Sequence, residues 1–105
     1  MTLHSSSHKQ ALVKAIEQRI LTGPGTASAE LRARSFADSD LPEPLAALVH
    51  KVAKHSFQVI DADFAAAVAA GFSEDQIFEL VVCAAVGESN RMYQNGLATL
   101  AKASD

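Results

Sequence analysis

This chain of 105 residues is poor in the residue types on which several classes of protein depend. Its only cysteine is Cys83, so an internal disulfide is excluded, which agrees with a reducing compartment. Acids and bases are mixed along the chain at a net charge of −3, and without a basic run we expect no nucleic-acid partner. The longest apolar segment, Ile77 to Gly87, is too short to cross a bilayer and contains Glu79, so we expect no membrane partner either. Residues 1–10 are polar rather than an apolar signal segment, which predicts a cytoplasmic protein.

Alanine dominates what the chain does contain. Apolar residues make up 49% of the sequence, and 20 of them are alanines. Alanine loses almost no side-chain entropy in a helix, so this composition favours helices that pack closely. A strand from Phe57 to Phe64 is the main alternative, but Asp61 and Asp63 disfavour it and no second strand is present to pair with it. The length allows one domain. We therefore predict an all-α single domain, a bundle of about five to six helices.

Turn and capping signals divide the first half of the chain. Residues 1–6 are predicted to form a flexible tail, and residues 7–105 the helical domain. A first helix is predicted to start near Ser7, which has capping-box spacing to Gln10, and to stop at Gly23-Pro24-Gly25. A second helix follows over about 28–36, and residues 38–40 form a turn.

The third helix is predicted to begin at Leu41 or Pro42, because proline is tolerated in a first helical turn. Apolar residues recur from there at steps of three and four, which places Ser56 and Val59 on the same helical face. Ser56 is then expected to bond back to the carbonyl of Val52.

The second half of the chain carries the clearest signals. Asp61 is predicted to be the N-cap of a fourth helix that ends at Gly71 in the left-handed conformation. Ser73 and Gln76 form a capping box, so a fifth helix starts at Glu74. That helix is apolar on nearly every side over 77–86 and must be enclosed, either inside the monomer or by a partner. Whether it breaks at Gly87 or continues into segment 90–102 is left open.

A longer pattern begins at Val52-Ala53-Lys54-His55-Ser56-Phe57-Gln58-Val59-Ile60-Asp61-Ala62-Asp63 and continues through Ala65 to Gly71 into Phe72-Ser73-Glu74-Asp75-Gln76-Ile77. It resembles the carboxymuconolactone decarboxylase family, in its alkylhydroperoxidase D-like branch. Members have a helix ending in Cys-x-x-Cys-x-x-x-His, then seven mostly small residues, a glycine, and a helix opening of the type Leu-Ser-Asp-Glu-Glu-Ile. The resemblance covers about residues 24–101 and implies an alkylhydroperoxidase D-like helical bundle.

The resemblance also shows what this chain lacks. Counting back from Gly71, the family's histidine falls on Asp63, its second cysteine on Val59 and its first cysteine on Ser56. A peroxidase of this type needs an attacking thiolate, a resolving thiol and a base, and none of these is retained at its position. The family's upstream acid would lie near Glu43.

Other suggestive residues have simpler structural interpretations. Cys83 is expected to be a buried, inert cysteine that packs as a small hydrophobe. His55 points about 100° away from its neighbour Ser56 on a helix, so it is poorly placed to activate that hydroxyl. His50 and His55 are five residues apart, the wrong spacing for a metal pair, and we expect no metal and no cofactor. The polar cluster over 88–95 is expected to be a solvated helix face rather than a pocket or a subunit contact.

Together these observations predict a non-redox member of the alkylhydroperoxidase D-like family, acting as a homo-oligomeric scaffold or small-ligand-binding protein. The resemblance implies a trimer or hexamer, with a dimer as the alternative. A small apolar ligand is expected between the third and fifth helices. The alternative function is an enzyme, for hydroperoxide reduction or lactone and carboxylate chemistry. Its candidate residues are weak ones: His55, Asp63, Glu43 and Cys83.

Overall fold

The computed structural model describes the backbone of residues 3–104 and the side chains from His8 to Ser104. Its elements are α1 (Leu3–Thr22), α2 (Ala29–Ala37), α3 (Leu45–Lys54), a 3₁₀ turn (Ser56–Gln58), α4 (Asp61–Ala69) and α5 (Glu74–Ser104). No strand occurs among residues 3–104. The predicted all-α bundle of five to six helices is confirmed.

Helix α5 is the centre of the bundle and contacts all four other α-helices. The core is formed by the residues that these helices bury together: Ala27, Leu45, Leu48, Val49, Ala67, Ile77, Leu80, Cys83 and Ala84. Most of them are small or aliphatic, which allows the short helices α2, α3 and α4 to lie close to α5. This agrees with the prediction from the alanine content.

Gly87 does not break α5, which is a single helix of 31 residues. It is instead the point where α5 approaches α2. A Cβ atom added at Gly87 would lie 2.8 Å from the carbonyl carbon of Phe36 and closer still to its oxygen. The helix therefore continues through Gly87, and the absence of a side chain there lets the backbone of Phe36 approach closely.

Helix α1 begins at Leu3, four residues before the predicted start at Ser7. Positions 7 and 10 therefore lie inside the helix rather than at its start. No glycine or proline occurs before Gly23, so nothing in this segment stops the helix from extending toward the N-terminus. Met1 and Thr2 fall outside the described residues, and the flexibility of residues 1–6 stays a prediction.

The predicted bounds of the third helix are wrong at both ends. It begins at Leu45, after Pro44, because a residue that precedes proline is disfavoured in the helical conformation and Glu43 holds that position. It ends at Lys54, since His55 leaves the helical region with φ −144°. Beyond that residue the only large apolar side chain of the turn, Phe57, is 82% exposed, so a longer helix would bury little. Ser56 and Val59 consequently do not lie on a face of α3.

The predicted end of α4 and start of α5 are confirmed, and the N-cap of α4 lies one residue earlier than predicted. Ile60, and not Asp61, is the N-cap of α4. Gly71 has φ 103°, as predicted for the residue that closes the helix. The capping box of α5 is confirmed, because the Ser73 N–H donates to Gln76 Oε1 at 2.9 Å and the Gln76 N–H donates to Ser73 Oγ at 3.1 Å.

The bundle is elongated. It measures 51 × 29 × 20 Å, and its radius of gyration is 15.7 Å, whereas a compact chain of this length has about 13 Å. Its accessible surface is 6899 Å², against about 5,700 Å² for a compact monomer of 11.1 kDa. Nine large apolar side chains are exposed among residues 8–104: Leu12, Ile16, Phe57, Ile60, Phe64, Val68, Phe78, Met92 and Leu100. Among the described residues, α5 is buried on the side that packs against the other helices of the chain.

Candidate functional site

The three positions onto which the resemblance maps the reactive residues of the alkylhydroperoxidase D-like branch differ in their surroundings. Ser56 is exposed in the 3₁₀ turn, and the bond to the Val52 carbonyl predicted for it does not form, because it lies outside α3. Val59 packs against the hydrophobic core. Asp63 is the third residue of α4, where its carboxylate accepts the Ile60 N–H at 2.9 Å. A hydroxyl, an isopropyl group and a carboxylate in these places offer no thiol chemistry.

Asp63 links two helices. Its carboxylate oxygens lie 2.9 and 3.2 Å from Lys51 Nζ, so the side chain ties the start of α4 to α3. The Ile60 N–H, followed by the Lys51 ammonium, lowers the pKa of Asp63. A carboxylate held in its charged form by these two donors is a poor general base near neutral pH. Its geometry is that of a structural anchor.

Glu43 and His55, the other acid–base candidates, are not joined to Asp63 by a hydrogen bond among the described residues. Glu43 is exposed, and its Oε2 accepts the Ala47 N–H of α3 at 3.3 Å. It lines a cleft of about 380 Å³, where His50 Nδ1 lies 2.8 Å from Asp38 Oδ2. The ring of His55 contacts the ring of His50 edge to face, at 5.9 Å between centroids. The structure thus separates the candidates into different surroundings.

Cys83 is buried, with 1% of its surface exposed. Burial raises the pKa of its thiol, and the charge of Arg32 offsets this only in part. A thiol that is both inaccessible and protonated is a poor nucleophile. The burial predicted for Cys83 is confirmed.

The sequence did not reveal the polar contacts that hold the loop between α1 and α2. Glu79 accepts the Thr26 N–H at 2.9 Å, the Ala27 N–H at 3.2 Å and the Thr26 hydroxyl. Arg32 is only 8% exposed, and its Nη1 donates to the carbonyls of Ile20 at 3.1 Å and Gly23 at 2.7 Å. The Thr26 hydroxyl is the largest cause that lowers the pKa of Glu79. The one sequence signal was the acid that interrupts the apolar part of α5.

The polar cluster after the apolar part of α5 is not simply a solvated face. Glu88 Oε1 accepts from Lys54 Nζ at 2.8 Å and from Arg91 Nε at 3.1 Å. Arg91 Nη1 also donates to the Phe36 carbonyl at 2.6 Å, which places a cation at the C-terminal end of α2. The Lys54 ammonium, and then the Arg91 guanidinium, lower the pKa of Glu88. Because these side chains tie α2, α3 and α5 together, the prediction of a solvated face is wrong for Glu88 and Arg91.

The main apolar groove lies between α4 and α5, with a volume of about 700 Å³. Phe64 and Val68 of α4 face Phe78 and Val81 of α5 across it, and the acidic first turn of α5 borders it. We expected a cleft between the third and fifth helices instead. There, buried side chains such as Leu48 and Leu80 fill the contact.

A second, smaller apolar cleft of about 270 Å³ separates α1 from α5. Its walls include Ile16, Val86 and Tyr93. Asn90 also lines it, and the Oδ1 atom of this side chain is buried without a hydrogen-bond partner. An apolar cleft with one unused polar atom is a common form of small-molecule site.

Among the side chains of residues 8–104, no three from His, Cys, Asp or Glu converge in a way that could hold a metal ion. Over the same residues, no helix combines the length and apolar character needed to cross a bilayer. Comparisons with protein-family models, with curated proteins and with solved structures found no match to this chain. The resemblance to the alkylhydroperoxidase D-like branch therefore rests on the sequence pattern alone.

Proposed function

We propose that this chain is a non-redox, homo-oligomeric helical scaffold of the alkylhydroperoxidase D-like type. The observation that carries the proposal is the elongated shape of the bundle, which leaves large apolar side chains exposed on α1, α4 and α5. Monomeric proteins rarely expose extended apolar patches without using them for binding.

The exposed area supports self-association. The chain has about 1,200 Å² more surface than a compact monomer of its mass. A standard protein interface covers roughly 800 Å² on each partner. One or two such contacts on each chain would bring its exposed surface close to that of a compact protein.

The surroundings of the reactive positions support a function without thiol redox chemistry. Ser56 is an exposed hydroxyl, Val59 is partly buried against the core, and Asp63 is paired with Lys51. The only thiol, that of Cys83, is buried and has a raised pKa. No pair of thiols exists that could form and break a disulfide during turnover.

Sedimentation velocity at micromolar concentration, with a dilution series, tests the scaffold proposal. We expect a discrete assembly, a trimer or hexamer, with a dimer as the alternative. A single species at the monomer mass over the whole series would contradict the proposal.

A peroxide-consumption assay on the wild type and on Cys83→Ser tests the alternative of a thiol enzyme. We expect no turnover from either protein above a heat-denatured sample. Turnover by the wild type that is lost in Cys83→Ser would instead establish a thiol peroxidase. Turnover that survives in the variant would point to acid–base residues, with His55, Asp63 and Glu43 to be replaced next.

A second candidate function is the binding of a small apolar ligand in the cleft between α1 and α5. The specific observation is the unpartnered Oδ1 of Asn90, which could accept a hydrogen bond from a ligand hydroxyl or amide. Native mass spectrometry of the purified protein would show a retained molecule, and Asn90→Leu should release it. Asn95→Leu, at an exposed position of the same helix, is the matched control. A wild-type spectrum without bound mass would contradict this candidate.

A further inference from the structure

We propose that the groove between α4 and α5 of one copy receives helix α1 of a second copy, so that the oligomer assembles head to tail. This inference rests on the proposed self-association and assigns the two surfaces that make it. The groove and an exposed stripe on α1 both present apolar side chains, and the charged side chains beside them are opposite in sign.

The groove is apolar along its length and acidic at its border. Phe64 and Val68, one turn apart on α4, are 38% and 50% exposed, and Phe78 on α5 is 69% exposed. The charged side chains that line it are Glu74 and Asp75, both in the first turn of α5. A matching partner must present apolar side chains flanked by cations.

A stripe of exposed side chains on α1 has this composition. Lys9, Leu12, Ile16 and Arg19 follow one another at steps of three, four and three, so they form one stripe on the helix. Leu12 and Ile16 are 52% and 53% exposed, and a cation stands at each end of the stripe. The stripe is about 15 Å long, at a rise of 1.5 Å per residue.

Helix α1 can present this stripe without leaving its own bundle. It contacts α2 and α5 of its own chain. The side chains of Val13 and Ile20 are partly buried, whereas Leu12 and Ile16 stay about half exposed, although Ile16 also lines the cleft between α1 and α5. The stripe on α1 and the groove between α4 and α5 are therefore exposed together on one folded chain.

The two surfaces are different parts of the chain, which makes the contact heterologous. A heterologous contact closes into a ring when the rotation between neighbouring copies divides a full turn, whereas a two-fold dimer would pair one surface with itself. Opposite charges at the ends of the stripe and at the border of the groove would fix the direction of docking. The arrangement predicts a cyclic assembly in which every chain uses both surfaces.

Mixing of two defective variants tests this assignment. Leu12→Asp disables the stripe and Phe78→Asp disables the groove, and both side chains are more than half exposed, so each variant should fold. We expect each variant alone to be monomeric, with self-association weakened at least about thirtyfold, as for a central interface residue. An equimolar mixture should form a heterodimer, since one intact stripe and one intact groove remain between the two chains. Sedimentation velocity with one chain fluorescently labelled measures all three samples.

Met92→Asp is the matched control, because Met92 is 65% exposed but belongs to neither surface. Its oligomeric state should equal that of the wild type. Circular dichroism checks the folding of every variant, and Leu12→Gln and Phe78→Gln replace any aspartate variant that loses helicity.

The outcomes separate this inference from the function on which it rests. A monomeric wild type contradicts the scaffold proposal itself. An oligomeric wild type whose assembly survives Leu12→Asp and Phe78→Asp overturns only the assignment of surfaces. The same conclusion follows if the two variants are monomeric but fail to associate when mixed at high micromolar concentration, since a two-fold interface predicts that result.

Discussion

Replacing Gly87 by alanine tests the close packing of α2 on α5, which organises the whole bundle. In an isolated helix this change would be favourable by about 1 kcal/mol, because glycine loses more backbone entropy than alanine. In the folded chain the new Cβ would lie within 3 Å of backbone atoms of Phe36, which cannot rotate away as a side chain could. The two helices would have to separate.

The cost of that separation has two parts. Overpacking a well-filled interface costs about 1–3 kcal/mol. Moving α2 also stretches the 2.6 Å hydrogen bond from Arg91 Nη1 to the Phe36 carbonyl, and a bond from a charged donor contributes about 1.5–3 kcal/mol. After the gain in helix propensity is subtracted, we expect Gly87→Ala to lower the free energy of unfolding by about 1.5–5 kcal/mol. For a domain of this size that corresponds to a fall in Tm of about 7–25 °C.

Gly96→Ala is the matched control in the same helix. A Cβ at Gly96 would meet no atom within 4 Å, so only the helix-propensity term remains and the variant should be stabilised by up to about 1 kcal/mol. Urea unfolding followed by circular dichroism, at one fixed protein concentration, measures both variants against the wild type. Equal shifts of the same sign in the two variants would refute the close-approach argument.

Three further predictions concern other parts of the bundle. Gly71→Ala should destabilise the protein by about 1 kcal/mol or more in urea unfolding, because a φ of 103° is unfavourable for alanine; an unchanged midpoint would contradict this. Cys83 should react with an aromatic disulfide reagent only as fast as the protein unfolds, and prompt reaction of the native protein would show that the thiol is accessible. Glu79 has a pKa lowered below 4.5 by folding, so its stabilising effect is complete above that pH and is lost as pH falls through the folded pKa. Glu79→Gln should therefore be less stable at pH 7 and lose less stability on acidification than the wild type, as urea titrations from pH 7 to pH 3 would show.

The contribution of Glu79 to acid sensitivity is measured by comparing the wild type with Glu79→Gln at each pH. Asp63 and Glu88 also have lowered pKa values, so the wild type is expected to lose stability below pH 5 from several carboxylates together. Only the difference in stability between the wild type and Glu79→Gln reports on the loop between α1 and α2, which Glu79 holds through Thr26. A difference that stays constant from pH 7 to pH 3 would contradict the proposed role of the charge.

Local signals were reliable where a few neighbouring residues decide the conformation. The capping box of Ser73 and Gln76, the positive φ of Gly71 and the burial of Cys83 all follow from short sequence patterns. The end of α3 was missed because apolar periodicity continues to Val59, while the chain turns away at His55. Periodicity predicts which residues can share a helical face. It does not predict where the helix ends, because that depends on how much apolar surface a longer helix would bury.

The candidate site shows the same division. The sequence contains one cysteine, so paired-thiol chemistry within one chain is excluded as soon as the sequence is read, and the residue types at positions 56, 59 and 63 include no thiol. Their surroundings were beyond sequence reasoning. The partner of Asp63 is Lys51, twelve residues away, and that of Glu79 is Thr26, fifty-three residues away.

The sequence by itself determined that this protein is a helical bundle without a redox pair, since composition, helix caps and the number of cysteines are local properties. Only the tertiary structure decided that α5 is continuous, that Gly87 makes room for Phe36, and that a groove stays open between α4 and α5. These features depend on which distant helices come within a few ångströms of one another. That is set by the packing of all side chains at once, and no single segment of the chain contains it.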